Sequence, residues 1–230
     1  VFNTPGANAN GVKELTIAAL LLASRNIVGG VNWANTLTEN VAKAVEAGKS
    51  AYAGCELERK TLGVIGLGAI GGMVANAAKA LGMNVLAYDL HQNETGREIG
   101  EYVALDTLFA KADVITLHCN LTPENTGMIN KDSIAKMKDG VILINNARGQ
   151  LIVEQDVADA LNSGKMGAAG LDVVYTEPIK ADNPLLKAKN CIITPHISWA
   201  PRESRQRIMD ITTQNVKAFL NGAPQNVVNK

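Results

Sequence analysis

The chain is predicted to be α/β, a doubly wound parallel sheet with helices on both faces, and three observations lead there. From Thr61 onward, short apolar runs alternate with helix-like stretches. Those runs are continuously apolar instead of alternating with polar residues, as strands buried on both faces are. The first run also breaks into Gly66-Leu67-Gly68-Ala69-Ile70-Gly71 ahead of an Ala-rich stretch, and the second ends on Asp89.

Taken in order, Asn3-Thr4-Pro5-Gly6 reads as a turn, and Asn8 or Asn10 is expected to cap a helix running to about Arg25. Its centre, Leu15–Ala23, is apolar nearly all round, so it needs cover on several sides, yet it is too short to span a bilayer. Gly29-Gly30 is expected to interrupt it, with Asn32–Lys49 following as a packing arm. Leu62, Val64 and Ile65 form the first strand, Met73–Leu81 a helix and Val85–Tyr88 the second strand. Leu105–Lys111 reads as a helix, Asp113–Leu117 as a strand, and Thr122–Lys138 as a loop and helix. Val141–Asn145 is a strand, Val153–Ser163 a helix stopped by Gly164, and Ala168–Val174 and Cys191–Thr194 are strands. The last helix, about Arg202–Leu220, carries Ile208, Ile211, Val216 and Phe219 at helical spacing before Gly222 ends it. The whole is read as one dinucleotide-binding domain: an N-terminal helix and arm (1–54), a core (55–197) and a C-terminal interdomain helix (198–230).

The composition is that of an ordinary globular protein, with 47% hydrophobic residues, 19% charged and zero formal net charge. Nothing in it points to nucleic acid or membrane as a partner. Cys55, Cys119 and Cys191 are odd in number and scattered, which argues against a disulfide framework or zinc site and for a reducing, cytoplasmic setting. His91, His118 and His196 are not paired at ligand spacing, so no metal is expected.

The Gly-rich stretch has chemical meaning because of what surrounds it. Strand, glycine turn, helix, strand and acid follow in order, with Asp89 about 18 positions after Gly71. Gly66 permits the tight turn, Gly68 lets backbone approach a pyrophosphate, and Gly71 lets the helix sit close to the strand. Asp89 would accept hydrogen bonds from the adenosine ribose and repel a 2′-phosphate, so the Rossmann cofactor is expected to be NAD, not NADP.

Three later stretches each place a useful side chain just after a predicted strand, the edge where open α/β sheets bind ligands. In Asn145-Asn146-Ala147-Arg148-Gly149, a guanidinium would clamp a carboxylate; the plainer alternative is pairing with a surface acid. In Asp172-Val173-Val174-Tyr175-Thr176-Glu177-Pro178, Glu177 is either an orienting carboxylate or a solvated loop acid. In Thr194-Pro195-His196-Ile197-Ser198-Trp199, His196 is either an acid–base group or a satisfied structural histidine.

G-L-G-A-I-G, N-A-R-G, L-D-V-V-Y-T-E-P and T-P-H-I-S-W-A occur in this order across nearly the whole chain, which resembles the NAD-dependent D-2-hydroxyacid dehydrogenases. The opening V-F-N-T-P-G-A-N-A-N-G-V-K-E-L is similar to the D-3-phosphoglycerate dehydrogenase branch. The stretch from about Met128 resembles the glycerate dehydrogenase (hydroxypyruvate reductase) branch. The resemblance implies that His196 is the general acid for carbonyl reduction, that Glu177 orients its imidazole, and that Arg148 binds the substrate carboxylate and polarises the carbonyl. It implies hydride transfer between nicotinamide C4 and substrate C2, with Asp172 holding the nicotinamide carboxamide. Backbone at Ala69-Ile70, Cys119, Asn146-Ala147 and His196–Trp199, including Ser198, would line the cofactor cleft.

The chain departs from that family at two positions. Ala69 stands where the family often has arginine, which implies weaker NAD binding, and Asn120 replaces a usual proline in the adenine-side loop. The family's flavodoxin-like substrate lobe is expected ahead of Val1. The leading substrate pair is 3-phosphoglycerate/3-phosphohydroxypyruvate, with glycerate/hydroxypyruvate next. Alternatives are an NAD-responsive binding module, or an excised or engineered cofactor domain with little turnover. The resemblance further implies a homodimer, formed through Leu15–Ala23 and Asn32–Lys49.

Overall fold

The computed structural model describes residues 1–229. Three helices, α1 (Ala9–Ser24), α2 (Ile27–Ala34) and α3 (Val41–Gly48), lead into an alternating core. That core runs β1 (Thr61–Ile65), α4 (Ala69–Ala80), β2 (Asn84–Tyr88), α5 (Glu94–Ile99), β3 (Glu101–Tyr102), α6 (Leu105–Lys111) and β4 (Val114–Leu117). It continues through α7 (Lys131–Ala135), β5 (Val141–Asn145), α8 (Glu154–Ser163), β6 (Met166–Leu171), β7 (Cys191–Ile193) and α9 (Arg202–Leu220). The strands form one seven-stranded parallel sheet in the order β3-β2-β1-β4-β5-β6-β7. The strand order reverses between β1 and β4, the point at which doubly wound sheets bind ligands. The fold class read from the sequence is therefore the observed one.

The register decides where the site lies. Ile65 pairs with both Tyr88 and Leu117, Leu117 with Asn145, Asn145 with Leu171, and Leu171 with Ile193. Six strands thus end at one level, and Gly66, Asp89, His118, Asn146, Asp172 and Thr194 follow along the same carboxyl edge. Two apolar layers hold the sheet rigid beneath it. Val141 and Leu143 belong to one buried cluster with Leu108, Leu151 and Leu161, and Ile142 and Ile144 to another with Leu20, Val64 and Val74. Leu143 is fully buried, so truncating it to alanine should cost about 2–5 kcal/mol.

Several local expectations are corrected. Asn8 stands at the N-cap position of α1 but its side chain makes no capping bond, and the Asn10 side chain bonds Glu14 and Lys13. The break after α1 falls at Arg25-Asn26, with Asn26 left-handed at φ 44°; Gly29-Gly30 lies inside α2. β6 ends at Leu171, short of the expected Val174, because Asp172 onward turns away to bond the loop after β7. The helix spacing of Ile208, Ile211, Val216 and Phe219 does not make a core stripe. α9 buries Ser204 and Asn215, while Val216 and Phe219 are exposed. It meets the start of the chain through polar bonds, Arg207 Nε donating to Ala7 O at 2.8 Å and Asn215 Nδ2 to Asn3 O at 2.8 Å, and through an edge-to-face contact of Phe219 with Phe2.

Leu15–Ala23 obtains much of its cover within the chain, from α4 and the sheet, while Leu21 stays exposed. By contrast α2 and α3 bury no residue, and Ile27, Val28, Val31 and Val41 are exposed. No single helix among the described residues is long and apolar enough to cross a membrane.

Candidate active site

At the nucleotide end, geometry gives each glycine its reason. Gly66 is left-handed at φ 93°, and a Cβ there would meet Cys119 N at 2.5 Å. A Cβ at Gly71 would sit 2.0 Å from Gly66 O, so the helix packs on the turn only without one. At Gly68 the space is open for 4 Å, which is room for a ligand against exposed backbone. Gly68 also precedes α4 with no side-chain cap, leaving the N–H groups of Ala69 and Ile70 and the positive helix end facing that room. Asp89 is locked toward the turn, since Oδ2 accepts from Leu67 N at 2.7 Å and Oδ1 from His91 N at 2.8 Å. Each oxygen keeps a lone pair for a ribose hydroxyl.

The adenine-side loop keeps its shape without a proline at 120. Asn125 Nδ2 donates to Asn120 O at 2.8 Å, and its Oδ1 accepts from Thr122 N in a capping box. Beside it, burial pushes the Cys119 thiol up, and desolvation pushes His118 down from 6.5 to about 4, so its ring is neutral near pH 7. His118 Nε2 bonds Thr116 Oγ1 at 2.9 Å.

At the other end the sheet edge assembles a dyad. His196 Nδ1 lies 2.6 Å from Glu177 Oε2, both side chains partly open to solvent. His196 is held at φ 53°, a left-handed backbone that strains a residue carrying a Cβ. The constraint comes from Asp172. Its backbone oxygen accepts from His196 N at 2.9 Å, and its buried carboxylate accepts from Thr194 Oγ1, Ile197 N and Ser198 N at 2.6–2.9 Å. Asp172 thus folds the histidine loop, with one lone pair on Oδ2 left for a carboxamide. Ser198 is buried by this arrangement and Trp199 is half-exposed.

Arg148 stands on the neighbouring loop. Among the described residues no carboxylate lies within salt-bridge distance of it; Nη1 donates only to Ala147 O at 2.7 Å. A surface ion pair is therefore not its role here. Asn145 shapes this loop, its Nδ2 donating to Arg148 O at 2.9 Å and its Oδ1 accepting from Ala147 N at 3.0 Å. Sequence reasoning passed over Asn145 and Asn125, although a polar residue ending a buried strand was a signal for the first. Both polar atoms of the Asn146 side chain are buried without a partner. An orphaned amide on the same carboxyl edge as an open, uncapped helix end fits a polar ligand running along that edge, and these residues fit a dinucleotide.

With this geometry in hand, the comparisons with known proteins place the chain. Residues 17–198 match the family described as "D-isomer specific 2-hydroxyacid dehydrogenase, NAD binding domain". The chain belongs to that family and carries its NAD-binding domain. A hydroxypyruvate reductase from Blautia hydrogenotrophica is 64% identical over 176 residues, covering 76% of this chain and 55% of that protein. A D-3-phosphoglycerate dehydrogenase from Archaeoglobus fulgidus is 42% identical over 235 residues, covering 100% of this chain and 42% of that protein. The chain thus spans about half the length of the curated relatives it matches. Among solved structures, a D-lactate dehydrogenase from Aquifex aeolicus, complexed with NAD and lactic acid, superposes with a TM-score of 0.82 at 36% identity. That superposition covers 97% of this chain and 70% of the other.

Proposed function

We propose that this chain is the cofactor-binding part of an enzyme that moves hydride between NAD and a D-2-hydroxy acid. The observation that carries the reading is the His196–Glu177 pair at 2.6 Å beside an Arg148 free of any acid partner, on one sheet edge. NAD, when bound, accepts or supplies the hydride at its nicotinamide ring. Glu177 fixes the imidazole through Nδ1 and leaves Nε2 to give a proton to the carbonyl oxygen in reduction, or to take one from the hydroxyl in oxidation. Arg148 orients the acid through a two-pronged hydrogen bond to its carboxylate and draws charge toward the carbonyl oxygen. Gly68, Ala69 and Ile70 would hold the pyrophosphate and Asp89 the ribose.

The substrate pair proposed first is 3-phosphoglycerate/3-phosphohydroxypyruvate, supported by the opening of the chain and by 42% identity across all of it. The pair without the phosphate, glycerate/hydroxypyruvate, is a second reading that the 64% identity to a hydroxypyruvate reductase favours. Oxidation of NADH by the full-length protein with hydroxypyruvate, and then with its 3-phosphate, separates them; reduction of neither would refute the substrate class. A binding module without turnover would replace the enzyme if His196→Ala left cellular function intact.

We further assign a homodimer and a cytoplasmic setting. The exposed apolar residues of α2 and α3, with Leu21 of α1, supply the contact surface in this reading. A monomeric mass by light scattering at micromolar concentration would refute it.

A further inference from the structure

The loop that carries Glu177 is held, besides its bond to His196, from the side of Arg148. Tyr175, two residues before Glu177, is exposed, yet both polar groups of its backbone are taken by side chains from the segment just after Arg148. Glu154 Oε1 accepts from Tyr175 N at 2.7 Å, and Gln150 Nε2 donates to Tyr175 O at 2.9 Å. The second Glu154 oxygen accepts from Asn183 Nδ2 at 2.9 Å, which ties down the far end of the same loop. Between them, Gly149 lies so close to the loop that a Cβ would meet Val174 C and O at 2.0 Å and Tyr175 N at 2.5 Å. Val174 N in turn donates to Glu177 Oε1 at 3.3 Å, handing the position on to the carboxylate.

Residues 175–178 are all exposed, so no apolar burial fixes them. These hydrogen bonds and the backbone contact at Gly149, together with the bond to His196, set where Glu177 stands. They originate in the loop that presents Arg148, so two parts of the site share one clamp. We propose that Gln150 and Glu154 are positioning residues that hold the His196–Glu177 dyad at a fixed offset from Arg148. The inference rests on the functional reading above. Its physical content is that the substrate carboxylate and the carbonyl oxygen of one small acid are gripped by groups on different loops. An error of about 1 Å between those loops costs on the order of 100-fold in rate.

The test uses the full-length protein together with this 230-residue chain. Glu154→Ala should lower kcat for 2-keto acid reduction by about 10–100-fold. Its NADH affinity, read by fluorescence titration, should stay at the wild-type value. Glu154→Gln keeps an oxygen for the Tyr175 N–H and should recover most of that loss. Gln150→Ala, which removes one hydrogen bond, should lower kcat by about five-fold. In the 230-residue chain, the low-field proton resonance of the His196–Glu177 hydrogen bond should weaken in Glu154→Ala. Tyr175 amide exchange should quicken while the sheet amides stay protected. Wild-type kcat and an unchanged resonance in Glu154→Ala would overturn the proposal. So would parallel loss of NADH affinity and sheet protection, because that is a fold defect. A wild-type protein that reduces no 2-keto acid sinks the functional reading instead, and the clamp then stands or falls on the resonance and the exchange.

Discussion

The two ends of the carboxyl edge are built on different principles. The nucleotide end is local: Gly66, Gly68, Gly71 and Asp89 come from one strand–helix–strand unit. The acid–base end is assembled from loops after β5, β6 and β7, and Asp172 crosses from one loop to fold another. A local unit writes its function into a contiguous motif. An assembled one depends on bonds between residues 19 to 25 positions apart, such as His196–Glu177 and Asp172–Ile197. The two ends should therefore fail separately.

The largest effect should come from the assembled end. His196→Ala in the full-length protein is expected to cut kcat by about 10²–10⁴-fold. Calorimetry should show NAD bound as in wild type; a matching loss of NAD affinity would erase the separation of the two ends.

The nucleotide end should show the reverse pattern. Asp89→Ala should weaken NAD by about 10–100-fold, because a charged acceptor is lost. Gly68→Ala fills open space, so the protein should fold normally and still lose at least about ten-fold in NAD affinity. Gly71→Ala, whose Cβ would collide with Gly66 O, should instead lower the melting temperature of the apo chain. If Gly68→Ala and Gly71→Ala behave alike in melting and calorimetry, the division of labour drawn within the turn is wrong.

A pH effect sharpens the boundary between the ends. His118 is depressed to about 4 by burial, from 6.5, so between those values the unfolded chain binds more protons than the folded one. Stability should accordingly fall as pH drops from 6.5 toward 4, and His118→Gln should flatten that part of a melting-temperature profile. The smallest expected change is Ala69→Arg, which adds a cation at the start of α4 near the phosphate room. It should tighten NAD by about 2–5-fold, and less at high salt.

The parallel sheet and most of its helices are legible because apolar runs and glycine stops are local signals; α5, β3 and the strand order are not. The cofactor turn was legible for the same reason. Arg148, Glu177 and His196 were visible only as useful groups after strands, each with a plausible surface or structural alternative until the resemblance joined them. Caps and helix breaks were misread where local chemistry offered rivals. Asn10 bonds Glu14 and Lys13 instead of a helix N-terminus, and the break expected at Gly29-Gly30 falls at Asn26, which is left-handed.

By itself, then, the sequence determined the α/β class and the Gly-rich turn with its acid, and it put forward three side chains as candidates for acid–base and carboxylate chemistry. Periodicity and contiguous motifs carry that much. The tertiary structure alone decided that Glu177 meets Nδ1 of His196, that Arg148 lacks an acid partner, and that Asp172, Gln150 and Glu154 pin the loops between them. The reason is physical: hydrogen bonds between loops on different strands depend on sheet register, and register is settled by the packing of the whole core.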